Sequence, residues 1–422
     1  MRRTARLCIA LVFFALAASA LAERAPERAY ERIDRAIRSM PPARSIGEVV
    51  AFIAGAATSE REKARGAFTW IAENIGYDVE AFFDGTKPAV DPEGVFRSRK
   101  SVCAGYSALY ASIAQRMGLE ATAIGGRAKG YGYRTGERDI PVNHDWNAVR
   151  FDGAWHLLDC TWGAGSVDDD SRKFERGYSA FWFDCEPRLF ALWHLPQDPS
   201  WQLLPDPITY AAYLAESGYE YGDYEELFRA GISSAQILSW HGKGAMPDAY
   251  DVGALADCGI LPSTLVKWCD SGSLPDYFSV KALQAYGFAG PTIAEWYDAG
   301  VLPESFDVEA LQSYGVPAQS VAEAVEAGGL VDCFLFEGLD LTIVQAPARR
   351  FLEAGKPLVL VLESSTLTEV GLDNNEEWSY MVKRGDSLEA TLVPKVGNLS
   401  VTIHTVSSGK DGWFVLLDYT IR

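Results

Sequence analysis

Three residues of this chain, Cys103, His144 and Asp159, are of the types that together carry out nucleophilic catalysis. Cys103 lies in "SVCAGYSALYA", a pattern that predicts a helix beginning at the thiol. The free N–H groups and the macrodipole at the start of a helix favour an anion, so a thiol there gains thiolate character. An imidazole can accept the thiol proton and return it to the leaving group, while a carboxylate orients that imidazole. The three residues therefore predict thiol chemistry on an acyl group.

His144 and Asp159 lie on the two arms of a predicted β-hairpin, "NHDWNAVRFDGAWHLLDCTWG". The dipeptide Asp152-Gly153 favours a two-residue turn, which sets Asp159 opposite Trp146. In that register His144 and Asp159 are diagonal neighbours on one face of the sheet, roughly 7–8 Å apart at the backbone. A three-residue turn would place them on opposite faces, so the predicted pairing depends on the register.

Residues 24–140 are predicted to be largely helical and to hold the nucleophile. The stretch "SEREKARGAFTWIAENIGYD" is amphipathic, with Phe68, Ile71 and Ile75 on one side. The stretch "AGYSALYASIAQRMG" predicts a second helix that ends at Gly118. The glycine-rich stretch "RAKGYGYRTGERDIP" lacks the strand and helix of a dinucleotide site, so it predicts a flap beside a cleft.

The N-terminal stretch "MRRTARLCIALVFFALAASALAE" has a basic start, a short apolar run and small residues near Ala20 and Ala22. These features predict a secretory signal peptide over residues 1–22, cleaved after Ala20 or Ala22. An uncleaved membrane anchor is the alternative. No later segment approaches the length of a membrane span. We therefore expect a secreted or periplasmic protein without an integral membrane segment after cleavage.

The formal net charge of −19 indicates which partners are unfavourable. Such an acidic chain is repelled by nucleic acid and by anionic lipid, so we expect no nucleic-acid partner. The 5 histidines lack ligand spacing, and the cysteines match no zinc motif or disulfide framework, so no metal or cofactor is expected. Cys258 and Cys269 are either a disulfide pair or buried free thiols.

Residues 223–334 contain an internal repeat with a period of 28 residues. Each copy predicts two short helices, and the copies must stack because one alone cannot bury its apolar face. Trp240, Trp268 and Trp296 recur at one position, where Ala324 stands in the last copy. This stripe is predicted to be core rather than a binding site, although a helical array also offers a surface for a protein partner.

The motifs "SVCAGYSALY", "NHDWNAVRFDGAWHLLDCTWGAG" and "HLPQDPSWQLL" resemble those of the transglutaminase-like superfamily, closest to its kyphoscoliosis peptidase branch. The resemblance implies a papain-like core with Cys103, His144 and Asp159 in the catalytic positions. It also implies that Trp146 is a packing tryptophan and Asn147 a structural asparagine. Members of the superfamily include protein cross-linkers, peptidases, amide hydrolases and domains without turnover.

The predicted fold class is α+β, with a transglutaminase-like (papain-like) core, an all-α repeat array and a C-terminal β-sandwich indicated by strand runs such as "LSVTIHTV". The predicted domains are the signal peptide (1–22), the core with its N-terminal helices (23–222), four helical repeats (223–334) and the sandwich (335–422).

Two functions fit this sequence. The first is a thiol enzyme that acts on protein or peptide amide bonds through an acyl-enzyme, by hydrolysis or by transfer to an amine. The second is a catalytically silent, extracytoplasmic binding or scaffold protein that acts through its repeats and sandwich. The sequence does not place the side-chain oxyanion donor that the superfamily usually provides, and Trp70 is predicted to be core. Cys160, beside Asp159, is unusual and open to oxidation.

Overall fold

The computed structural model describes residues 25–168, 170–216, 220–336, 338–407 and 410–422. The predicted signal peptide lies outside these residues. The chain divides into two compact units, Met1–Tyr250 and Asp251–Arg422. The first unit combines the core with the first repeat, whereas the domain boundaries drawn from sequence remain predictions. Within the described residues, no helix is both long enough and apolar enough to cross a membrane.

The first unit combines helices with a central sheet. Its helices are α1 (Ala25–Arg38), α2 (Ile46–Ala56), α3 (Glu60–Asn74), α4 (Val79–Asp84), α5 (Pro92–Ser98), α6 (Cys103–Arg116), α7 (Pro187–Phe190), α8 (Tyr210–Ala215), α9 (Tyr221–Arg229) and α10 (Ser234–Lys243). Its strands are β1 (Gly76–Tyr77), β2 (Lys100–Ser101), β3 (Ala121–Ala128), β4 (His144–Phe151), β5 (Ala154–Leu158), β6 (Gly165–Val167), β7 (Phe174–Arg176), β8 (Phe183–Cys185) and β9 (His194–Pro196).

The central sheet has the strand order β8-β5-β4-β3-β9 and is antiparallel throughout. Its β4–β5 hairpin turns at Asp152 and Gly153, whose φ angles of 50° and 81° are both positive, as a type I′ turn requires. Phe151 pairs with Ala154 across this turn. The two-residue turn and its register, predicted from the Asp-Gly dipeptide, are therefore confirmed.

The helices that precede the sheet follow the apolar pattern of the sequence. Helix α3 begins after Ser59, whose side chain accepts the N–H of Glu62, and it buries Phe68 and Ile71 completely. Trp70 on the same helix is 2% exposed and stacks on Phe96 with ring centroids 5.8 Å apart. The prediction that Trp70 is a core residue is confirmed.

Helix α6, which carries the nucleophile candidate, approaches the preceding chain closely at Gly105. A Cβ atom built there would lie 2.7 Å from Cβ of Ser101 and 2.8 Å from Cγ2 of Val95. Ser101 is completely buried, and its hydroxyl donates to the carbonyl of Ala89, so it has no room to retreat. Glycine at this position therefore lets the start of α6 pack against β2.

Gly105→Ala is expected to lower the free energy of unfolding by about 1–3 kcal/mol, because the added methyl overpacks a rigid contact. Gly55→Ala is the matched control, since Gly55 is also helical and its Cβ would meet nothing within 4 Å. That control should leave the stability unchanged or raise it by up to about 1 kcal/mol. Urea denaturation of both variants measures the difference, and equal effects would show that the contact at Gly105 is not tight.

The repeats form paired helices, as predicted. Beyond α9 and α10 the pairs are α11 (Ala249–Asp257) with α12 (Pro262–Ser271), α13 (Tyr277–Ala285) with α14 (Gly290–Asp298), and α15 (Ser305–Ser313) with α16 (Ala318–Glu326). The side chains of Trp240, Trp268, Trp296 and Ala324 are 2–6% exposed, so the predicted core role of this stripe is confirmed. The aromatic residue that ends each copy is exposed instead: Tyr250 by 71%, Phe278 by 68%, Phe306 by 53% and Phe334 by 44%.

The C-terminal strands form two sheets within the second unit, as expected for a β-sandwich. The strands are β10 (Asp332–Cys333), β11 (Thr342–Gln345), β12 (Phe351–Leu352), β13 (Leu358–Glu363), β14 (Val370–Asn374), β15 (Trp378–Tyr380), β16 (Val382–Arg384), β17 (Ser387–Leu392), β18 (Gly397–Ser407) and β19 (Lys410–Ile421). The first sheet has the order β10-β19-β18-β14-β15 with β12 beside β19, and the second has the order β11-β13-β17-β16.

Candidate active site

Cys103 is the first residue of α6, and its side chain is partly exposed. The residue before it, Val102, offers no side-chain cap to the helix. The first N–H groups of a helix have no intrahelical partner, so the backbone N–H of Cys103 can donate to an oxyanion that forms on a carbonyl bound at its sulfur. The structure thus places the thiol at a helix N-terminus, where the sequence predicted it.

Hydrogen bonds made by Tyr106 and Asn147 help to hold α6 in place. The hydroxyl of Tyr106 donates to the carbonyl of Ile75 over 2.9 Å. The amide of Asn147, on β4, donates to the carbonyls of Ser107 and Thr122 over 3.0 Å each. Asn147 therefore ties the helix of the nucleophile to the strand that begins with His144, which is consistent with a structural role for this asparagine.

His144 and Asp159 are directly hydrogen-bonded, with 2.6 Å between Nε2 and Oδ2. His144 begins β4, whereas Asp159 follows the last residue of β5. The predicted pairing of Asp159 with Trp146 lies beyond the β4–β5 ladder. Oδ1 of Asp159 accepts the backbone N–H groups of Thr161 and Trp162, over 2.7 and 3.1 Å, so the turn after the strand fixes the carboxylate.

A second imidazole, His194, completes the surroundings of Asp159. Its Nε2 lies 3.1 Å from Oδ2 of Asp159, and its side chain is completely buried. His194 begins β9 and lies far from Asp159 in sequence. The motif "HLPQDPSWQLL" did not predict a role for its histidine, because its position in the sequence does not show that it meets the hairpin in the fold.

The charges of this cluster follow from its burial and hydrogen bonds. Burial works to raise the pKa of Asp159, but the charge and hydrogen bonds of the two histidines outweigh it and hold that pKa below its usual value. Burial works to lower the pKa of His144, but Asp159 and the nearby Cys103 raise it on balance. Burial lowers the pKa of His194 to about 4, so this ring is neutral at neutral pH.

Cys103 is among the groups that raise the pKa of His144. The thiol therefore lies near the ring that Asp159 orients. The three residues predicted to act together meet in one place, and Asp159 is 0% exposed while Cys103 keeps access to solvent. Such an arrangement can transfer a proton from sulfur to imidazole.

His144, Asp159 and His194 also form the kind of cluster that can hold a metal ion, since one ligand atom of each lies within 4.8 Å of the other two. Both histidines direct Nε2 at the same carboxylate oxygen, at 2.6 and 3.1 Å. A metal would require these same atoms, so binding it would break both hydrogen bonds. We therefore interpret the cluster as a carboxylate that orients two rings.

Tyr77 is a neighbour of the nucleophile that sequence reasoning missed. It lies on β1 opposite Ser101 of β2, two residues before Cys103. Burial, followed by the charges of Cys103 and Asp159, raises the pKa of Tyr77, so its phenol keeps its proton at neutral pH. Within the described residues its hydroxyl makes no hydrogen bond, which leaves the O–H available as a donor. The signal was weak in sequence because β1 and β2 are only 2 residues long each.

A cleft of about 980 Å³ opens beside His144. The glycine-rich loop contributes Gly130, Gly132 and Tyr133 to its lining, which agrees with the predicted position of this loop beside a cleft. Lys129 also lines the cleft, and burial lowers its pKa to about 8. Its Nζ donates to the carbonyl of Glu216 over 2.6 Å.

The cysteines of the described residues are all free thiols. Cys258 is buried and Cys269 partly exposed, so the alternative of a disulfide between them is not realised. Cys160 is 2% exposed, and burial, followed by the charge of Asp159, raises its pKa well above the usual value. Low exposure and a raised pKa protect Cys160 from the oxidation that its position suggested.

The comparison with protein families supports the class of protein that this geometry indicates. Residues 48–160 match the Transglutaminase-like superfamily, a range that contains Cys103, His144 and Asp159 and ends before His194. Residues 48–160 therefore form a transglutaminase-like domain, the kind of domain that has a papain-like fold.

Three curated relatives define the branch. The chain is similar to kyphoscoliosis peptidase of Mus musculus, at 35% identity over 181 residues, covering 43% of this chain and 27% of that protein. Kyphoscoliosis peptidase of Homo sapiens is 34% identical over 179 residues, covering 42% and 27%. Hillarin of Drosophila melanogaster is 30% identical over 197 residues, covering 43% and 24%. The core is thus similar to the kyphoscoliosis peptidase branch, and the chain spans only about a quarter of the length of these relatives.

Among solved structures, the chain is similar to the crystal structure of a TGase at 25% identity, with a TM-score of 0.24. That match covers 31% of this chain and 33% of the other. At this TM-score the similarity carries no argument about function.

Proposed function

We propose that this protein is a thiol enzyme that acts on protein or peptide amide bonds outside the cytoplasm. One observation carries the proposal: His144 is hydrogen-bonded to Asp159 at 2.6 Å and lies near Cys103, which begins a helix. The similarity to kyphoscoliosis peptidase, which is named a peptidase, supports the same class of reaction. The location rests on the signal-like N-terminal stretch alone.

The mechanism begins with transfer of the Cys103 proton to His144 as the sulfur attacks the substrate carbonyl. The negative oxygen of the tetrahedral intermediate accepts hydrogen bonds from the backbone N–H of Cys103 and from the hydroxyl of Tyr77. The C–N bond then breaks, the amine leaves with the proton of His144, and a thioester remains on the enzyme. Asp159 keeps the ring oriented and stabilises its charged form throughout.

The thioester is resolved by water or by an amine. Water that loses its proton to His144 releases an acid, which is hydrolysis, whereas an amine that does so forms a new amide. We propose hydrolysis as the main outcome, because an acceptor site for an amine is not evident in the described residues of the cleft.

An assay on a mixture of unfolded proteins with an added fluorescent primary amine tests this proposal. Hydrolysis yields cleaved peptides or deamidated side chains, which mass spectrometry identifies, whereas transfer yields fluorescent protein. We expect hydrolysis products that depend on Cys103. Products that form equally with the Cys103→Ala protein would refute the proposed function.

Tyr77→Phe is expected to lower kcat about 10- to 100-fold with little change in KM, because an oxyanion donor acts mainly in the transition state. The phenyl ring preserves the packing of the position, so a fold defect is not expected. Tyr250→Phe, which removes an exposed hydroxyl, is the control and should keep full activity. Steady-state kinetics on one peptide measures both variants, and an unchanged kcat for Tyr77→Phe would remove this residue from the mechanism.

The second candidate function is binding of a protein partner through the repeats. The exposed aromatic residues that end successive copies, such as Phe278 and Phe306, favour it, since apolar groups that recur on a surface can form an interaction site. The effect of Cys103→Ala in the native setting separates the candidates, because a binding protein keeps its function without the thiol.

A further inference from the structure

The cleft continues from His144 past Trp162 to residues of α9. The ring of Trp162 lies 5.5 Å from that of His144 and 5.7 Å from that of Tyr221, measured between centroids. Glu225 follows Tyr221 by one helical turn, so both side chains lie on the same face of α9. Both residues line the cleft. His144 and the acidic face of α9 therefore line one continuous cavity.

Glu225 is a carboxylate that has been partly removed from water without a cation to compensate it. It makes no ion pair within the part of the chain that the structure describes. Burial raises the pKa of Glu225 most, a hydrogen-bond contribution from the Ser179 hydroxyl lowers it, and the charge of Glu226 raises it further. Glu216 differs, because it pairs with Arg188 and His241. A desolvated and unpaired carboxylate gains most from binding a cation.

The burial and geometry of Ser179 give a second indication of a ligand. It is 4% exposed and lines the cleft, yet its Oγ has no hydrogen-bond partner of normal geometry among the described residues. Its backbone N–H donates to the carbonyl of Gly163 over 3.0 Å, which fixes it next to Trp162. Buried hydroxyl groups are almost always hydrogen-bonded, so this oxygen is positioned to accept from a bound donor.

Lys129, a cation of the same cleft, is held by other groups. Nζ of Lys129 donates to the carbonyl of Glu216 and lies 4.4 Å from the centroid of the Tyr213 ring. Arg134 also lines the cleft, on the exposed glycine-rich loop. Glu220 lines the cleft as a further acid and makes no ion pair within the described residues. The uncompensated charge near Ser179 is therefore negative.

We propose that Glu225 and Ser179, with Glu220 at the rim, form a subsite for a lysine or arginine side chain of the peptide substrate. This inference rests on the proposed function and names its substrate class. The bound cation donates hydrogen bonds to the Glu225 carboxylate and to Oγ of Ser179. It is not the attacking amine of a transfer reaction, because an ammonium group has no free electron pair and Trp162 separates it from His144.

Binding of uncleaved peptides to the Cys103→Ala protein tests the subsite without turnover. The probes are hexapeptides of alanine with one glutamine, acetylated at the N-terminus and amidated at the C-terminus. At each remaining position in turn, one alanine is replaced by lysine, arginine, norleucine or glutamate. At one position we expect the lysine or arginine peptide to bind about tenfold more tightly than the norleucine peptide. Isothermal titration calorimetry measures the ratio.

Glu225→Gln, made in the Cys103→Ala protein, should reduce that ratio to about 1–2, and Ser179→Ala should reduce it in part. Glu175→Gln removes the same charge from an exposed strand residue outside the cleft and should leave the ratio unchanged. A ratio that Glu225→Gln does not alter, a preference for glutamate, or no binding by any peptide would overturn the subsite.

The two proposals fail in different ways. A cation preference that depends on Glu225 in a protein whose Cys103 is unreactive would leave the subsite intact and refute the enzyme. Turnover that depends on Cys103 but shows equal kcat/KM for lysine and norleucine peptides would refute the subsite and leave the enzyme intact.

Discussion

Cys103→Ala is expected to abolish amide-bond turnover, by about 10⁴-fold or more, without unfolding the protein. In the proposed mechanism the thiol alone forms a bond to the substrate, so no neighbour can replace it. Its side chain is partly exposed, and alanine is a good helix former at the start of α6. Turnover of a peptide substrate and the circular dichroism spectrum measure the two parts of this result.

Cys269→Ala is the matched control, because Cys269 is also a partly exposed free thiol on a helix. Burial, followed by the charge of Asp270, raises the pKa of Cys269 to about 11, which disfavours its thiolate. The control should keep full activity. Equal losses in the two variants would mean that the effect of Cys103→Ala does not arise from loss of the nucleophile.

Asp159→Asn is expected to lower kcat about 10³-fold while KM changes little. The amide can still accept hydrogen bonds from the turn, but it cannot hold the charged ring of His144. His144 then loses the contribution that raises its pKa, and burial is left to lower that pKa. Steady-state kinetics and the ¹H–¹⁵N NMR titration of the histidine rings measure both effects. A wild-type kcat would show that the carboxylate does not orient the base.

The same substitution has a pH-dependent effect on stability. Asp159 has a lowered pKa in the folded protein, so its contribution is present above the unfolded value of about 3.9 and is lost as pH falls through the folded value. His144 has a raised pKa, so its contribution is complete below about 6.5 and is lost as pH rises through the folded value. The destabilisation caused by Asp159→Asn should therefore be largest between about pH 4 and 6.5. Urea denaturation across this range measures it.

The hairpin shows what the sequence could predict about the site. Asp152-Gly153 determines the turn, the turn determines the register, and the register places His144 and Asp159 on one face. Each of these steps is local, so no information from elsewhere in the fold was needed. The same holds for α6, whose start at Cys103 follows from the apolar pattern of its own residues.

The contacts of His194 and Tyr77 could not be predicted from local sequence patterns. His194 reaches Asp159 because β9 pairs with β3 on the side of the sheet away from β5, a topology that spacing alone does not give. Tyr77 approaches Cys103 through a pair of two-residue strands that produce no readable pattern. The acidic face near Glu225 lies on α9. This helix belongs to the first repeat, which is part of the same compact unit as the core. All three contacts are tertiary.

The rate of alkylation of each free cysteine by limiting iodoacetamide tests the central claim most directly. Peptide mass spectrometry reads the rates at neutral pH for the native protein and for His144→Ala, with glutathione as a free-thiol standard. Proximity of Cys103 to the ring of His144 predicts that this thiol reacts first, about tenfold or more faster than glutathione, and that His144→Ala removes the advantage. A Cys103 rate equal to that of glutathione and unchanged by His144→Ala would contradict the account.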